Sequence, residues 1–317
     1  MKILITDKMA EEAIQVFKDA GHEVKYEELD AEQLLEEVGK HDALMVRSRT
    51  KATTEVIEKA ADGDIKVIGR AGIGVDNIDI ETAGKNKIPV VNSPTGATSS
   101  VAELTIAHML ALSRHISRAD KTMKKGEWAK KQLKGNTLEG KTLGLIGTGN
   151  IGKYTSKLAQ CFGMKIIGYD PFINKEDMKK DGIEKIEELA ELMSKSDYIS
   201  LHLPHTQSTH HIVNKEMLEK MKTSAYIVNC ARGGTVDEKA LYNAIKEGKI
   251  AGASLDVYES EPPKENLFKD LDNVIMTPHI GANTKEGQIK AGTVCAAQIL
   301  KVLNGEEPDH CVNKKFL

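Results

Sequence analysis

Four cysteines are spread over 317 residues. Cys161, Cys230, Cys295 and Cys311 form no Cys-x-x-Cys pair. A reducing, cytoplasmic setting fits, with the thiols mostly buried as small hydrophobes. Long apolar runs are missing too. The most apolar stretch, residues 101–112, is interrupted by Glu103 and His108, so no membrane span is expected. The first 21 residues carry Asp7, Glu11, Glu12 and Asp19 and lack the apolar centre of a signal peptide. Nor is there an excess of positive charge. The net charge is −3, which leaves no basic field for a nucleic-acid backbone, and the lysines of residues 121–134 read as a solvated face. No solenoid-length repeat and no low-complexity segment occurs.

What the chain does contain is ordinary globular material, 40% hydrophobic and 29% charged, long enough for two domains. Short apolar runs predict strands at residues 2–6, 23–26, 43–46, 66–69 and 89–92. Helical patterns at 10–20 and 31–38 stop at Gly21 and Gly39. Strands alternating with helices imply a parallel sheet covered by helices. A long helix is expected from Ser100, capped by the Ser100-x-x-Glu103 box and running to about Lys125 before Gly126. Its first half is apolar around most of its circumference, so it is read as a core helix or a subunit interface. A second βα series spans residues 141–278. A last helix, 284–303, ends at Asn304-Gly305.

The second series opens on a dinucleotide signature. A buried strand at 142–146 runs into Gly147-Thr148-Gly149-Asn150-Ile151-Gly152 and then into a helical stretch. A second strand ends in Asp170, 18 residues past the last glycine. A lone Gly-x-Gly-x-x-Gly is weak evidence, but this setting makes it strong. Gly147 permits the tight turn, Gly149 lets a pyrophosphate approach the backbone, and Gly152 lets helix and strand pack closely. The N–H groups of the helix start hold the phosphate charge, and Asp170 accepts from ribose hydroxyls. The charge of Asp170, with no arginine in Pro171-Phe172-Ile173, disfavours a 2′-phosphate and selects NAD over NADP.

Three further polar residues follow strands of that series, where ligands of an open parallel sheet sit. Arg232 stands in Asn-Cys-Ala-Arg-Gly-Gly, Glu261 in Tyr-Glu-Ser-Glu-Pro-Pro and His279 in Thr-Pro-His-Ile-Gly-Ala. Taken singly they read as an ion-pair arginine, a solvated acid and a loop histidine. Together they supply what oxidation of a 2-hydroxy acid requires. A histidine takes the hydroxyl proton, a carboxylate fixes its tautomer and favours its protonated form, and an arginine grips the substrate carboxylate. Cys230 ends a buried strand without a base motif and reads as core rather than nucleophile. His202, His205, His210 and His211 lack the helical spacing of a zinc site, and no metal is expected.

With these segments in place the chain resembles the D-2-hydroxyacid dehydrogenase family, most closely its short phosphoglycerate dehydrogenase branch. The resemblance rests on residues 69–77, Asn92-Ser93-Pro94, residues 100–103, the Gly147–Gly152 loop with Tyr169-Asp170-Pro171, and the segments 229–234, 256–262 and 277–282. It covers about residues 2 to 305. It implies an α/β fold of two doubly wound parallel-sheet domains. A Rossmann NAD-binding domain (98–283, carrying an interdomain and dimerisation helix) is inserted into a flavodoxin-like substrate domain (1–97 and 284–317), with the active site in a cleft that closes on binding. Arg232, Glu261 and His279 take the roles described. NAD is expected to touch Gly147, Gly149, Asn150, Ile151, Gly152, Asp170, Leu203, Pro204, Cys230, Ala231, Arg232, Asp256, His279, Gly281 and Ala282, with Asp256 on the nicotinamide amide. Arg47, Ser48 and the amides of Gly72, Ile73 and Gly74 face the substrate.

Ala97, Ile73 and His205 depart from residues frequent in the family, an asparagine, a threonine and a leucine. The regulatory domain of longer relatives is not expected. The implied reaction is NAD-dependent oxidation of 3-phosphoglycerate to 3-phosphohydroxypyruvate, the first step of serine synthesis, by a homodimer or dimer of dimers. The alternatives are a hydroxypyruvate or glyoxylate reductase and, more remotely, an NAD-binding regulatory module. No nucleic-acid or membrane partner is expected.

Overall fold

The structure is a computed structural model and describes residues 1–317. In chain order the first part holds β1 (Lys2–Ile5), α1 (Glu11–Asp19), β2 (Glu23–Tyr26), α2 (Ala31–Glu37), β3 (Ala43–Val46), α3 (Thr54–Ala61), β4 (Val67–Arg70), α4 (Ile80–Lys85) and β5 (Val90–Asn92). Next come α5 (Thr98–Ser113), α6 (Ile116–Lys124), β6 (Thr142–Ile146), α7 (Asn150–Cys161), β7 (Lys165–Tyr169), α8 (Lys175–Lys180), β8 (Glu184–Lys185), α9 (Leu189–Lys195) and β9 (Tyr198–Leu201). The chain closes with α10 (Lys215–Glu219), β10 (Tyr226–Asn229), α11 (Glu238–Lys246), β11 (Gly252–Leu255), β12 (Val274–Met276) and α12 (Lys285–Leu303). No helix is long and apolar enough to cross a membrane.

Two compact units result, Met1–Thr98 with Ala282–Leu317, and Ser99–Gly281. In the first, five parallel strands lie in the order β2-β1-β3-β4-β5. Successive side chains of a strand point to opposite faces, which sorts the core. Ile3 and Ile5 of β1 pack with Phe17 of α1 and Ile299 of α12 on one face. Leu4 packs on the other with Leu44, Ile57 of α3 and Ile68. In the second unit seven parallel strands lie in the order β12-β11-β10-β9-β6-β7-β8. The sheet order reverses between β1 and β3 in the first unit and between β6 and β9 in the second. At such switch points loops diverge above the carboxyl ends and leave room for ligands.

The expected long helix is in fact two. α5 stops at Ser113, and His115 turns left-handed at φ +53°. The Ser113 carbonyl accepts from the Asn136 N–H at 2.9 Å, and His115 Nε2 meets the Lys134 carbonyl at 3.2 Å. A returning segment thus takes the bond that the next helical turn needed. The Ser100 cap does not stand either. α5 begins at Thr98, which puts Ser100 in the first turn, because the turn bonds Gly96 N to Ser93 O and Thr98 N to Thr95 O already lead the backbone into the helix.

Candidate active site

Parallel pairing in register brings the carboxyl ends of the second sheet into one row. Tyr169 pairs with Ile146, Ile146 with Leu201, Leu201 with Asn229, and Asn229 with Leu255, which pairs with Met276 of β12 in turn. The residues that follow these ends are therefore neighbours in a line: Asp170, Gly147, His202, Cys230, Asp256 and Thr277.

Gly147 turns at φ +91°, and a Cβ there would lie 2.5 Å from the His202 carbonyl oxygen. A Cβ on Gly152 would lie 2.5 Å from the Gly147 carbonyl oxygen, so the start of α7 sits directly on the turn. Gly149 is different. It is the N-cap of α7, no side chain caps the helix there, and a Cβ would meet nothing within 4 Å. Space and uncapped helix N–H groups occur together, which suits an anionic pyrophosphate. Asp170 Oδ2 accepts from the Thr148 N–H at 2.8 Å and Oδ1 from the Phe172 N–H at 3.0 Å. Asp170 is thereby fixed beside the loop, with oxygen lone pairs left for ribose hydroxyls. Asn150 is exposed, Ile151 and Leu203 are half-buried, and Pro204 is exposed. These residues fit the dinucleotide that the loop implies.

At the other end of the row, His279 Nδ1 and Glu261 Oε2 are 2.6 Å apart, a short charge-assisted contact. Glu261 Oε1 accepts from the Tyr258 N–H at 3.1 Å. Burial pushes the Glu261 carboxyl up, but His279, that N–H and the charge of Arg232 outweigh it, so its pKa lies below the ordinary value. Glu238 nearby is raised, by burial and by the charges of Glu259 and Glu261. Arg232 is presented by the loop after β10. Asn229, only 2% exposed, bonds the Arg232 carbonyl at 3.0 Å, the Thr235 hydroxyl at 3.1 Å and the Ala231 N–H at 3.1 Å. Gly233 lets the Tyr258 loop close on this turn, since a Cβ would stand 1.7 Å from the Tyr258 carbonyl oxygen. The Tyr258 hydroxyl donates to the Leu255 and Thr277 carbonyls at 3.0 Å, tying β11 to β12.

Asp256 is fully buried. Its carboxylate accepts from the Thr277 hydroxyl at 2.6 Å and from the Ile280 and Gly281 N–H groups at 2.8 Å each. The turn it clasps carries His279, whose backbone is left-handed at φ +53°. Gly281 is buried against it, Ala282 is exposed, and Ala231 is buried. The Cys230 thiol is pushed up to about 12, mainly by burial, which keeps it protonated and excludes it as a nucleophile. Four further histidines follow β9. His202 is held neutral by burial, its pKa near 3, and bonds Ser200 at 2.9 Å. His205, His210 and His211 form a surface row, His205 Nε2 to His210 Nδ1 at 3.0 Å and His211 Nε2 to Glu259 at 3.0 Å.

The expected substrate residues follow β3 and β4 of the first unit, which pair directly. Asp7, buried after β1, bonds the Arg47 N–H at 2.5 Å and the Thr50 hydroxyl at 2.7 Å. Asn77 bonds the Arg47 carbonyl at 2.8 Å. The Arg47 guanidinium donates to the Lys8 carbonyl at 3.1 Å and pairs with no acid, while Arg49 pairs with Asp7 at 3.3 Å. Ser48 is exposed. Asn92 bonds the Ile73 carbonyl at 2.6 Å and the Ser93 N–H bonds Gly72 O at 2.9 Å, which holds the Gly72-Ile73-Gly74 turn. At Gly72 a Cβ would fall 1.4 Å from the Arg70 guanidinium. Ala97 is 1% exposed, a buried methyl.

Asp7, Asn77, Asn229 and Thr277 were not among the residues read from the sequence as site-forming. Each lies at a strand end or in a recognised segment, but its role is set by partners remote in the chain.

Residues 106–281 match the family described as D-isomer specific 2-hydroxyacid dehydrogenase, NAD binding domain. A D-3-phosphoglycerate dehydrogenase of Methanocaldococcus jannaschii is 52% identical over 313 residues, 99% of this chain and 59% of that protein. The chain thus spans about three-fifths of the length of that relative. A hydroxypyruvate reductase of Thermotoga maritima is 46% identical over 306 residues, 95% of this chain and 98% of that one. A solved glyoxylate reductase from Paecilomyes thermophila superposes with a TM-score of 0.89 at 30% identity, over 99% of this chain and 98% of that one. Residues 106–281, which hold the Gly147–Gly152 loop and Asp170, are therefore an NAD-binding domain, and the chain belongs to the D-isomer specific 2-hydroxyacid dehydrogenases, a family of NAD-dependent oxidoreductases.

Proposed function

We propose that the protein oxidises 3-phosphoglycerate to 3-phosphohydroxypyruvate, the reaction that opens serine synthesis. The single observation behind the chemistry is the 2.6 Å contact of His279 Nδ1 with Glu261, which commits that nitrogen and leaves Nε2 for the substrate hydroxyl. His279 takes the hydroxyl proton at Nε2 as the C2–H bond breaks, and the Glu261 carboxylate stabilises the imidazolium that forms. Arg232 holds the substrate carboxylate and polarises the C2 oxygen. NAD, on the residues of the Gly147–Asp170 site with Leu203, Pro204, Cys230, Ala231, Asp256 and the turn of residues 279–282, supplies the acceptor for the hydride leaving C2. Protonating the ketone at His279 runs the reaction in reverse.

The phosphate assignment rests on Arg47. Its loop follows β3 at the switch point of the first sheet, and its charge has no acid partner. An unneutralised guanidinium beside the Ser48 hydroxyl and the Gly72–Gly74 turn suits a phosphate. Hydroxypyruvate or glyoxylate reduction is the second reading, favoured by the near-complete mutual coverage with the Thermotoga hydroxypyruvate reductase. Arg47→Ala separates them. We expect KM for 3-phosphoglycerate to rise by roughly 10–150-fold, the loss of one charged hydrogen bond of about 1.5–3 kcal/mol, with little change for D-glycerate. A wild-type preference for D-glycerate, or equal weakening of both substrates, overturns the phosphate reading and promotes the reductase.

A further inference from the structure

His108 is a titratable side chain that the mechanism above does not use. It lies in the middle of α5, 4% exposed, and reaches three strand ends at once. Nδ1 is 2.7 Å from the Ser254 hydroxyl of β11 and 3.7 Å from the Cys230 thiol after β10. Nε2 is 3.4 Å from the Thr277 hydroxyl after β12. A core helix facing a sheet has no need of an imidazole there. A leucine would fill the volume without the desolvation that a buried polar ring costs.

The hydrogen-bond directions are fixed by the acceptor at the far end. Asp256 is a carboxylate and only accepts, so the Thr277 hydroxyl proton points to Asp256 Oδ1 at 2.6 Å. The Thr277 oxygen can then only accept from His108, which places the proton on Nε2. Burial lowers the His108 pKa against the opposing charge of Asp256, which favours the neutral ring, and in that ring Nδ1 accepts from the Ser254 hydroxyl at 2.7 Å, far shorter than the 3.4 Å from that hydroxyl to the Ile275 carbonyl. The result is one directed chain: Ser254 to His108 to Thr277 to Asp256. Asp256 in turn receives the Ile280 and Gly281 N–H groups at 2.8 Å, immediately after His279 in its left-handed conformation.

We propose that His108, as the neutral Nε2–H tautomer, is a positioning residue that acts through Thr277 and Asp256 to hold the turn presenting His279 to Glu261. This rests on the reading of His279 as the acid–base group. A cut at Thr277 removes the shortest donor of Asp256, and a cut at His108 removes the donor that holds the Thr277 hydroxyl toward Asp256; in both cases the turn relaxes from its left-handed geometry and the His279–Glu261 contact loosens.

Imidazole nitrogen shifts of the cofactor-free protein at pH 7 read the tautomer directly, and a His108 with its proton on Nδ1, or doubly protonated, overturns the proposal. Steady-state kinetics with 3-phosphoglycerate and NAD, and with hydroxypyruvate and NADH, read the function. We expect His108→Phe and Thr277→Val each to lower kcat about 10-fold, the effect of one hydrogen bond to a charged group. Because both cuts break one chain, the double variant should be no worse than either alone. His108→Gln, whose amide can still donate to Thr277, should recover most of the loss. If His108→Phe fails to fold, Thr277→Val carries the test, since it leaves the ring in place. Turnover lost in His279→Ala but kept in His108→Phe and Thr277→Val overturns this inference alone. Turnover kept in His279→Ala overturns the acid–base reading and this inference with it.

Discussion

His279 holds a backbone conformation that a residue with a Cβ rarely adopts, at a cost of about 1–3 kcal/mol that its surroundings must offset. Its hydrogen bond to Glu261 and the Asp256 clasp on the next two N–H groups do so. Placing the ring this firmly matters only if its proton is used. We therefore expect His279→Ala to lose about 10²–10⁴-fold in kcat while NAD still binds, as measured by titration of NADH fluorescence. Glu261→Gln keeps the shape and removes the charge. The imidazolium then loses its stabilising neighbour, so hydroxy-acid oxidation should reach half its maximum at a lower pH than in the wild type. A pH–rate profile that moves upward, or stays put, counts against Glu261 as the partner. The lowered Glu261 carboxyl also has a stability consequence. A depressed pKa stabilises the fold above the ordinary glutamate range, and that contribution disappears as acid titrates the group through its lowered value. The loops that carry Arg232, Glu261 and His279 were legible because turn residues follow the strands that lead into them. His108 and Thr277 were not: they are 169 positions apart, and nothing local in either segment announces the other.

Strands were read closely because their boundaries are local. Residues 23–26, 43–46 and 142–146 coincide with β2, β3 and β6. Helix ends were less legible where a distant segment competes for a carbonyl, as Asn136 does for Ser113. Close packing between elements is also hidden in sequence. Gly69 of β4 lies under α12, and a Cβ there would stand 2.4 Å from Ile299 Cδ1 and 2.8 Å from Cys295 Sγ. These atoms and Ile299 Cγ1, also at 2.8 Å, all belong to side chains rather than backbone, so Gly69→Ala should fold at a cost of about 1–3 kcal/mol, typical of overpacking. Urea unfolding should give a lower midpoint, and adding Ile299→Val, which removes Cδ1, should recover part of it. An unchanged midpoint in the single variant would mean that α12 is not seated on β4 as described.

At the scale of the molecule, the two sheets follow the strand orders of the flavodoxin-like and dinucleotide-binding folds, and those orders come from long-range pairing that periodicity does not encode. The apolar surface left over is more telling. The helix from Ser100 was read as a core helix or a subunit interface, and α5 buries nine of its sixteen residues within the chain. The uncovered apolar groups lie just beyond it. α6 buries no residue at all, and Ile116 and Met123, seven positions apart and hence on one helix face, are each 55% exposed. Trp128 follows at 78% exposure. Isolated exposed hydrophobes are ordinary, but a helix stripe continued by the chain's single tryptophan is the composition of an interface centre, where aromatic anchors dominate. A twofold pairing of this face with a second copy covers both stripes at once and is the commonest way for an identical chain to do so. Sedimentation at micromolar concentration should therefore give a dimer or a dimer of dimers. Trp128→Ala together with Met123→Asp should shift it toward monomer without unfolding, because neither side chain is buried within the chain. A wild-type monomer at that concentration, or a double variant that associates as before, would place the interface elsewhere or remove it.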